Sequence, residues 1–446
     1  MKIIIAGAGE VGTHLAKLLS SENQDIILID DNEERLETLN SNFDLMTVVG
    51  LPTSINKLKE IGAGSADLFI AVTPDESRNV TACMLASNLG AKKTVARIDN
   101  HEYLEPKNKE FFKELGVDSL IFPEMLAAEE IISAMKMSWV RLWWEFCKGA
   151  IVLIGVKVRD NAELLHTKLS ELGKDDIPFH IVAIKRNQET IIPQGDDSIE
   201  VNDIVYFTTT KKYIPYIRKI TGKEDYPDVK NIMIMGGGRI AARTAQFAPD
   251  YMNIKILDTN IDQCNRLSEK LDNHIMILNG DARDADLLKE EGIEHTEAFL
   301  ALTANSESNI LACLAAKRLG VAKTVAEVEN VDYIAMAESL DIGTIINKKF
   351  IAASHIYQMM LDVDASNVKC LTFADADVAE FLVRKDAKAT KRLVKNLGIP
   401  KGFRIGGLIR DGEGLVVTGD TQLMEGDHVV VFCLNTTIKK IEKLFI

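Results

Sequence analysis

The sequence predicts an α/β protein with two Rossmann-like parallel-sheet domains, each followed by a small α+β domain. Three observations carry this reading: strand-length apolar runs alternating with amphipathic segments, a glycine-rich turn between the first strand and first helix, and an internal duplication.

The runs Lys2 to Ala6, Asp25 to Ile29, Leu45 to Val49, Leu68 to Val72 and Thr94 to Ile98 have the continuous apolar character of strands buried on both faces. Between them, Val11, Leu15, Leu18 and Leu19 fall at helical spacing, as do Leu36 and Leu39 after the start signal Asp31-Asn32. Strands separated by helices predict right-handed βαβ crossovers. After Phe122-Pro123 a helical stretch, Glu124 to Met137, leads to alternating strands such as Ile181 to Lys185 and Ile204 to Thr208, which predicts a smaller α+β domain.

The chain then repeats itself. Gly7-Ala8-Gly9-Glu10-Val11-Gly12 recurs as Gly236-Gly237-Gly238-Arg239-Ile240-Ala241 at an offset of 229 (236 − 7), and Asp30 recurs as Asp258 at 228 (258 − 30). Ala71-Val72-Thr73 returns as Ala301-Leu302-Thr303, and Lys93-Thr94-Val95-Ala96-Arg97 as Lys323-Thr324-Val325-Ala326-Glu327, both at 230 (301 − 71). Gly195-Asp196 and Asn202-Asp203 match Gly419-Asp420 and Gly426-Asp427 at 224 (419 − 195), so the first half carries about six extra residues, expected near Leu104 to Phe112. The predicted domains are residues 1–123, 124–225, 229–347 and 348–446, with Thr221 to Pro227 as a polar joint.

In Gly7-x-Gly9-x-x-Gly12 the first glycine allows a tight turn, the second lets backbone approach a pyrophosphate, and the third lets helix and strand pack closely. The candidate site comprises Gly7, Ala8, Gly9, Glu10, Val11 and Gly12 at this turn, where phosphate meets a helix N-terminus. Asp30, 21 residues after Gly9 (30 − 9), suits a ribose diol; with Asp31 it repels a 2′-phosphate, favouring NAD(H) or another adenine nucleotide over NADP(H). The alternative is that the glycines only shape a turn and Asp30 caps the helix Asn32 to Asn40. In the second copy, Gly236, Gly237, Gly238, Arg239, Ile240 and Asp258 take the same positions, as a working or a vestigial site. Thr73-Pro74 and Thr303-Ala304 end the fourth strands, where a doubly wound sheet places ligand contacts. Arg97, ending the fifth strand, either reaches phosphate or ribose or forms a surface ion pair; its counterpart Glu327 cannot bind phosphate directly.

A formal net charge of −14 argues against a nucleic-acid partner. The N-terminus runs straight into a strand pattern with no signal-peptide zones, which predicts a cytoplasmic protein, and apolar runs such as Ala150 to Val156 fall far short of the roughly 20 residues that span a bilayer. The six cysteines form no C-x-x-C pair, and the eight histidines form no zinc or triad signature, so neither a metal nor a catalytic site is expected. Met135 to Trp144 reads as core or as a partner surface, and Asp175-Asp176, Asp196-Asp197 and Asp375 with Asp377 as turn acids or cation ligands.

With duplicated glycine fingerprints, strand-end Asp30 and Asp258, and the repeated Ala-Val/Leu-Thr and Lys-Thr-Val-Ala segments, the whole chain resembles the TrkA family, peripheral NAD-binding subunits of bacterial and archaeal Trk potassium-uptake systems. The resemblance implies two regulator-of-conductance-of-potassium (RCK) modules, each a Rossmann part followed by a TrkA-C part. It further implies binding of NAD(H) and also ATP or ADP, a homotetrameric ring on the inner face of the membrane, and a membrane-embedded channel partner of the TrkH type. Asp281, in Gly280-Asp281-Ala282, keeps the family pattern where the first half has Gly50-Leu51-Pro52, so the two sites should differ in affinity. The rival readings are an NAD-dependent oxidoreductase, which needs a proton donor or acceptor facing the nicotinamide, and an RCK regulator of another potassium carrier, such as a potassium/proton antiporter.

Overall fold

The computed structural model describes residues 1–446 except 21–23, 41–44, 173–178, 188, 273, 361–364, 372–375, 401, 435–438 and 446. Asp175, Asp176 and Asp375 lie outside the described residues, as do the side chains of Glu10, Leu18, Leu39, Cys370 and Asp377.

Six parallel strands form the first sheet: β1 (Lys2–Ala6), β2 (Asp25–Asp30), β3 (Met46–Val49), β4 (Leu68–Ala71), β5 (Thr94–Arg97) and β6 (Ser119–Ile121). Their order, β3-β2-β1-β4-β5-β6, is that of a doubly wound dinucleotide fold. Ile3, Ile4 and Ile5 in β1 and Phe69 and Ile70 in β4 are completely buried, as strands covered by helices on both faces require. The sixth strand escaped the sequence reading because it is only three residues long. Antiparallel strands follow: β7 (Leu142–Phe146), β8 (Ile151–Lys157), β9 (Phe179–Arg186), β10 (Glu189–Ile191) and β11 (Ile204–Thr209), ordered β10-β9-β11-β8-β7.

The second half repeats this plan. β12 (Asn231–Met235), β13 (Asn253–Asp258), β14 (Met276–Asn279), β15 (Ala298–Ala301), β16 (Lys323–Glu327) and β17 (Thr344–Ile346) form a parallel sheet in the order β14-β13-β12-β15-β16-β17. β18 (Ala365–Leu371), β19 (Ala376–Leu382), β20 (Phe403–Arg410), β21 (Glu413–Leu415) and β22 (His428–Leu434) form the antiparallel sheet β18-β19-β22-β20-β21. From β5 to β6 the first half is five residues longer than the second, since the offset falls from 230 (323 − 93) to 225 (344 − 119). The first half fills that stretch with the short helical turn His101–Leu104 and the helix Pro106–Glu114, where the second has only the helix Asp332–Ser339.

The chain forms two compact units. One comprises Met1–Leu126 with Lys348–Met360; the other comprises Ala127–Asn347 with Leu361–Ile446. In the first unit the helix Lys348–Met360, from the far half of the sequence, packs on the helix Glu10–Ser20, with the rings of His14 and Phe350 4.1 Å apart. In the second unit the two antiparallel sheets share a core, Phe146, Leu153 and Val182 meeting Val378, Val430 and Phe432. The approach is close enough that a Cβ on Gly414 would lie 2.1 Å from the carbonyl oxygen of Ala150. Met135, Trp139, Val140 and Trp143 are buried, the core reading of the Met/aromatic stretch.

Each antiparallel sheet carries the same ion pair, a buried aspartate with a partly exposed arginine. Arg186 binds Asp203 through two parallel bonds of 2.9 and 2.8 Å, and Arg410 binds Asp427 through two of 2.8 Å. Each guanidinium also donates to a turn carbonyl, of Ser198 or Gln422, which fixes the loop preceding the last strand of its sheet. Asp196 and Asp197 are turn acids, paired with Lys168 and accepting the amide of Gln194 respectively. No helix among the described residues is long and apolar enough to cross a membrane.

Burial pushes His14 down to about 4, with Lys17 and Lys349 adding repulsion. A folded state that keeps this imidazole neutral loses stability as pH falls from about 6.5 toward 4, because the unfolded chain takes up the proton first. Urea unfolding of His14→Phe across that window should show a shallower acid limb than the unmodified protein; an unchanged limb would remove His14 from the account.

Candidate functional site

At the carboxyl edge of the first sheet, Gly7 adopts φ +111°, a conformation that favours glycine, and its amide is bonded to Ile29 O at 2.8 Å. Asp30 closes the bend. Its carboxylate accepts the amide of Ala8 at 2.6 Å and that of Asn32 at 2.8 Å, and it is almost fully buried. The second copy repeats this: Gly236 has φ +96°, and Asp258 accepts the amides of Gly237 at 2.6 Å and Asn260 at 2.8 Å.

The glycines divide by what surrounds them. A Cβ on Gly12 would sit 1.9 Å from Gly7 O, so packing of helix against turn demands glycine there, whereas Ala241 in the second copy is fully buried without one. Gly9 and Gly238 are different. A Cβ at Gly9 would meet nothing within 4 Å, and at Gly238 only Leu302 O at 3.8 Å, and neither residue has a positive φ. Neither backbone strain nor protein packing requires glycine at these two positions, each at the mouth of a helix N-terminus.

The far wall is built by residues the sequence reading partly missed. Thr73 is buried and Pro74 exposed, and the fully buried Asn79 ties the end of β4 to that of β5. Its carbonyl accepts the amide and hydroxyl of Thr73 at 2.9 and 2.7 Å, and its amide donates to the carbonyls of Thr73 and Arg97, each at 2.9 Å. Asn309 does the same with Thr303 and Glu327. Both asparagines stand six residues after the threonine and 230 apart (309 − 79), a signal available in the duplication.

Arg97 lies 3.6 Å from both Asp99 and Glu124, the ion-pair arrangement; Glu327 is buried and Ala304 exposed. At the first crevice Arg78 pairs with Asp31 at 2.9 Å, joining the ends of two walls. Val11 and Ile240 are buried beneath their turns and Arg239 is exposed. In the second copy a cavity of about 180 Å³ is lined by Gly236, Asp258, Asp281, Arg283, Thr303 and Ser308, with Arg283 doubly bonded to Asp281. That cavity places a cation beside Asp281, which sequence reading had put forward alone.

One side-chain cluster had no sequence signal. Cys147 Sγ donates to Glu380 at 2.9 Å, and His428 Nδ1 lies 2.8 Å from the same carboxylate oxygen. Burial and Glu380 push this thiol up to about 12, so it stays protonated and serves as a donor.

Asn79→Ala leaves buried amide and carbonyl groups of Thr73 and Arg97 unpaired and should cost about 3 kcal/mol in urea unfolding. A loss below about 1 kcal/mol would deny it this tying role.

The chain matches the TrkA-N domain model over residues 3–123 and 232–348 and the TrkA-C domain model over 153–222 and 378–446. It is 33% identical to the Trk system potassium uptake protein TrkA of Haemophilus influenzae, over all of this chain and 98% of that one. Among solved structures, the GsuK channel bound to NAD is similar in fold, with TM-score 0.61 and 17% identity over all of this chain and 78% of that one. GsuK bound to ADP aligns with TM-score 0.50 and 15% identity over 81% and 69%. Two tandem pairs of matching domains and full-length identity at this level place the chain in the TrkA family of Trk-system potassium uptake proteins.

Proposed function

We propose that this chain is a regulatory, non-enzymatic subunit that binds NAD(H), and also ATP or ADP, at the two glycine turns and thereby gates potassium movement through a TrkH-type membrane partner. The observation that carries the reading is the unneeded glycine: Gly9 and Gly238 have room for a side chain that neither copy possesses. A diphosphate approaching the bare backbone at a helix N-terminus accounts for that space. Gly7, Ala8, Glu10, Val11 and Gly12 supply the remainder of the first turn, and Gly236, Gly237, Arg239 and Ile240 that of the second. Asp30 and Asp258 face the ribose, while Thr73, Pro74, Arg97, Thr303, Ala304, Asp281 and Glu327 line the far walls. The NAD-bound and ADP-bound GsuK channels, similar in fold, support this choice of ligands.

Regulation then follows from differential affinity. A nucleotide shifts the partner's equilibrium only to the extent that it binds one state of the assembly more tightly than another. The assembly is a homotetrameric ring, cytoplasmic and peripheral on the inner face of the membrane. Names of relatives as potassium uptake proteins favour this over an oxidoreductase.

Calorimetric titration should find micromolar or tighter binding of at least one of NADH, NAD, ATP and ADP, without NADH consumption when small carbonyl compounds are added. Because Gly9→Ala and Gly238→Ala fit the fold, each should shift stability by less than about 1 kcal/mol while the pair weakens nucleotide binding at least about tenfold. Gly12→Ala, by contrast, should destabilise by about 1–3 kcal/mol through overpacking. Unaltered affinity in the Gly9/Gly238 double variant would sink the assignment of these turns.

A further inference from the structure

A second polar cavity lies at the opposite edge of the second parallel sheet. In a chain of formal net charge −14, six cationic side chains line it: Arg141, Lys157, Arg159, Lys223, Lys317 and Lys323. They come from distant segments, ahead of β7, at and beyond the end of β8, the joint before β12, the end of the helix Ser306–Arg318, and the start of β16.

Among the described residues, one carboxylate is in ion-pair contact with this group. Asp341 pairs with Arg141 and Arg159, and lies 3.1 Å from Lys157 and 3.2 Å from Lys317. Glu338 adds charge at longer range but is itself bound to Lys185 at 2.6 Å. Lys323, almost fully buried, donates to Val140 O and to the Thr344 hydroxyl, which uses two of its three N–H groups on uncharged acceptors. Lys223, equally buried, lies over the Tyr226 ring at 4.8 Å.

Burying several cations around a single carboxylate is costly unless more negative charge arrives. The strain is visible in the amines: burial and Arg141 draw Lys323 down to about 7, and burial with Arg159 and Arg141 draws Lys223 down to about 8. The first copy differs at three of these positions: Gly116 stands where Asp341 does (341 − 116 = 225), Ser87 where Lys317 does (317 − 87 = 230), and Lys93, the counterpart of Lys323, is exposed.

We propose that this cavity is an anion site that takes a phosphate-class tetrahedral oxyanion. Its volume of about 60 Å³ gives room for on the order of four water-sized groups, the number of oxygens on a phosphate. Two guanidiniums and several ammonium groups supply the charge-assisted donors that recognise such oxygens. The occupant is either free orthophosphate or the phosphoryl end of a larger molecule; the donor chemistry is the same.

The test is thermal unfolding of the full chain in orthophosphate and in pyrophosphate, against chloride at equal ionic strength. Phosphate or pyrophosphate should raise the midpoint beyond chloride, the better of the two indicating a free ion or a phosphoryl tail. In Lys223→Gln and Arg159→Gln the apparent affinity should fall about tenfold or more. Asp341→Asn, which keeps the shape and tolerates φ +55°, should lower the midpoint in chloride and bind phosphate more tightly, because the competing carboxylate is gone. The Gly9→Ala/Gly238→Ala pair should leave the response intact, which separates this cavity from the glycine turns. A midpoint indifferent to phosphate in both the unmodified chain and Asp341→Asn, or a response abolished by the glycine pair instead, would overturn the proposal.

Discussion

A carboxylate that holds a backbone bend is the constraint on which both parallel-sheet domains depend. Asp30 and Asp258 each end a second strand and accept two amides, one from the glycine turn and one from the residue two further on. Bonds from N–H to an ionised acceptor are about twice as strong as neutral ones, which offsets the cost of burying the charge. The turn is thereby set before any ligand arrives, so a ligand need not order it, and preorganisation of this kind raises affinity by lowering the entropic cost of binding. The latch is the use of Asp30 that the geometry shows; ribose recognition, as proposed above, would be a second use of the same side chain.

Asn79 and Asn309 perform the complementary task on the opposite wall, each binding the ends of a fourth and a fifth strand through a side-chain amide. Between the two latches lies the switch point of the strand order, where β1 and β4, or β12 and β15, send their following helices to opposite faces.

What was legible in the sequence follows from this economy. Gly7, Gly236 and the strand-end acids announce themselves because their backbone roles leave few substitutes, and the duplication tests each motif against an independent copy. Asn79 escaped because an asparagine inside a helix looks like a solvated polar residue until its burial is known. The docking of the helix Lys348–Met360 on the helix Glu10–Ser20 was illegible for a different reason: apolar periodicity tells which face is covered but not by which of several similar sheets and helices. The Asp341 cluster was hidden because its partners lie up to 200 residues away (341 − 141), and no local spacing joins them. Arg97 sat between two readings, and the proximity of Asp99 and Glu124 explains why position at a strand end alone could not choose.

The divergence between copies has a physical rationale. A ring made from single modules would present identical sites, because symmetry makes every protomer equivalent. Fusing two modules in one chain frees the second from that equality while fixing the ratio of the two site types at one to one. The structure uses the freedom where the latches permit it: Glu76 gives way to Ser306 as acceptor for the loop after the fifth strand, Gly12 to Ala241, Arg97 to Glu327, Leu51 to Asp281 and Gly116 to Asp341. Asp30 and Asp258, Asn79 and Asn309, and the two open glycines are the same in both copies, the asparagines holding the main-chain carbonyl of Arg97 or Glu327 whichever side chain it carries. The two copies thus share the residues that frame the crevice and differ at others around it, the arrangement that would let the two proposed sites differ in affinity.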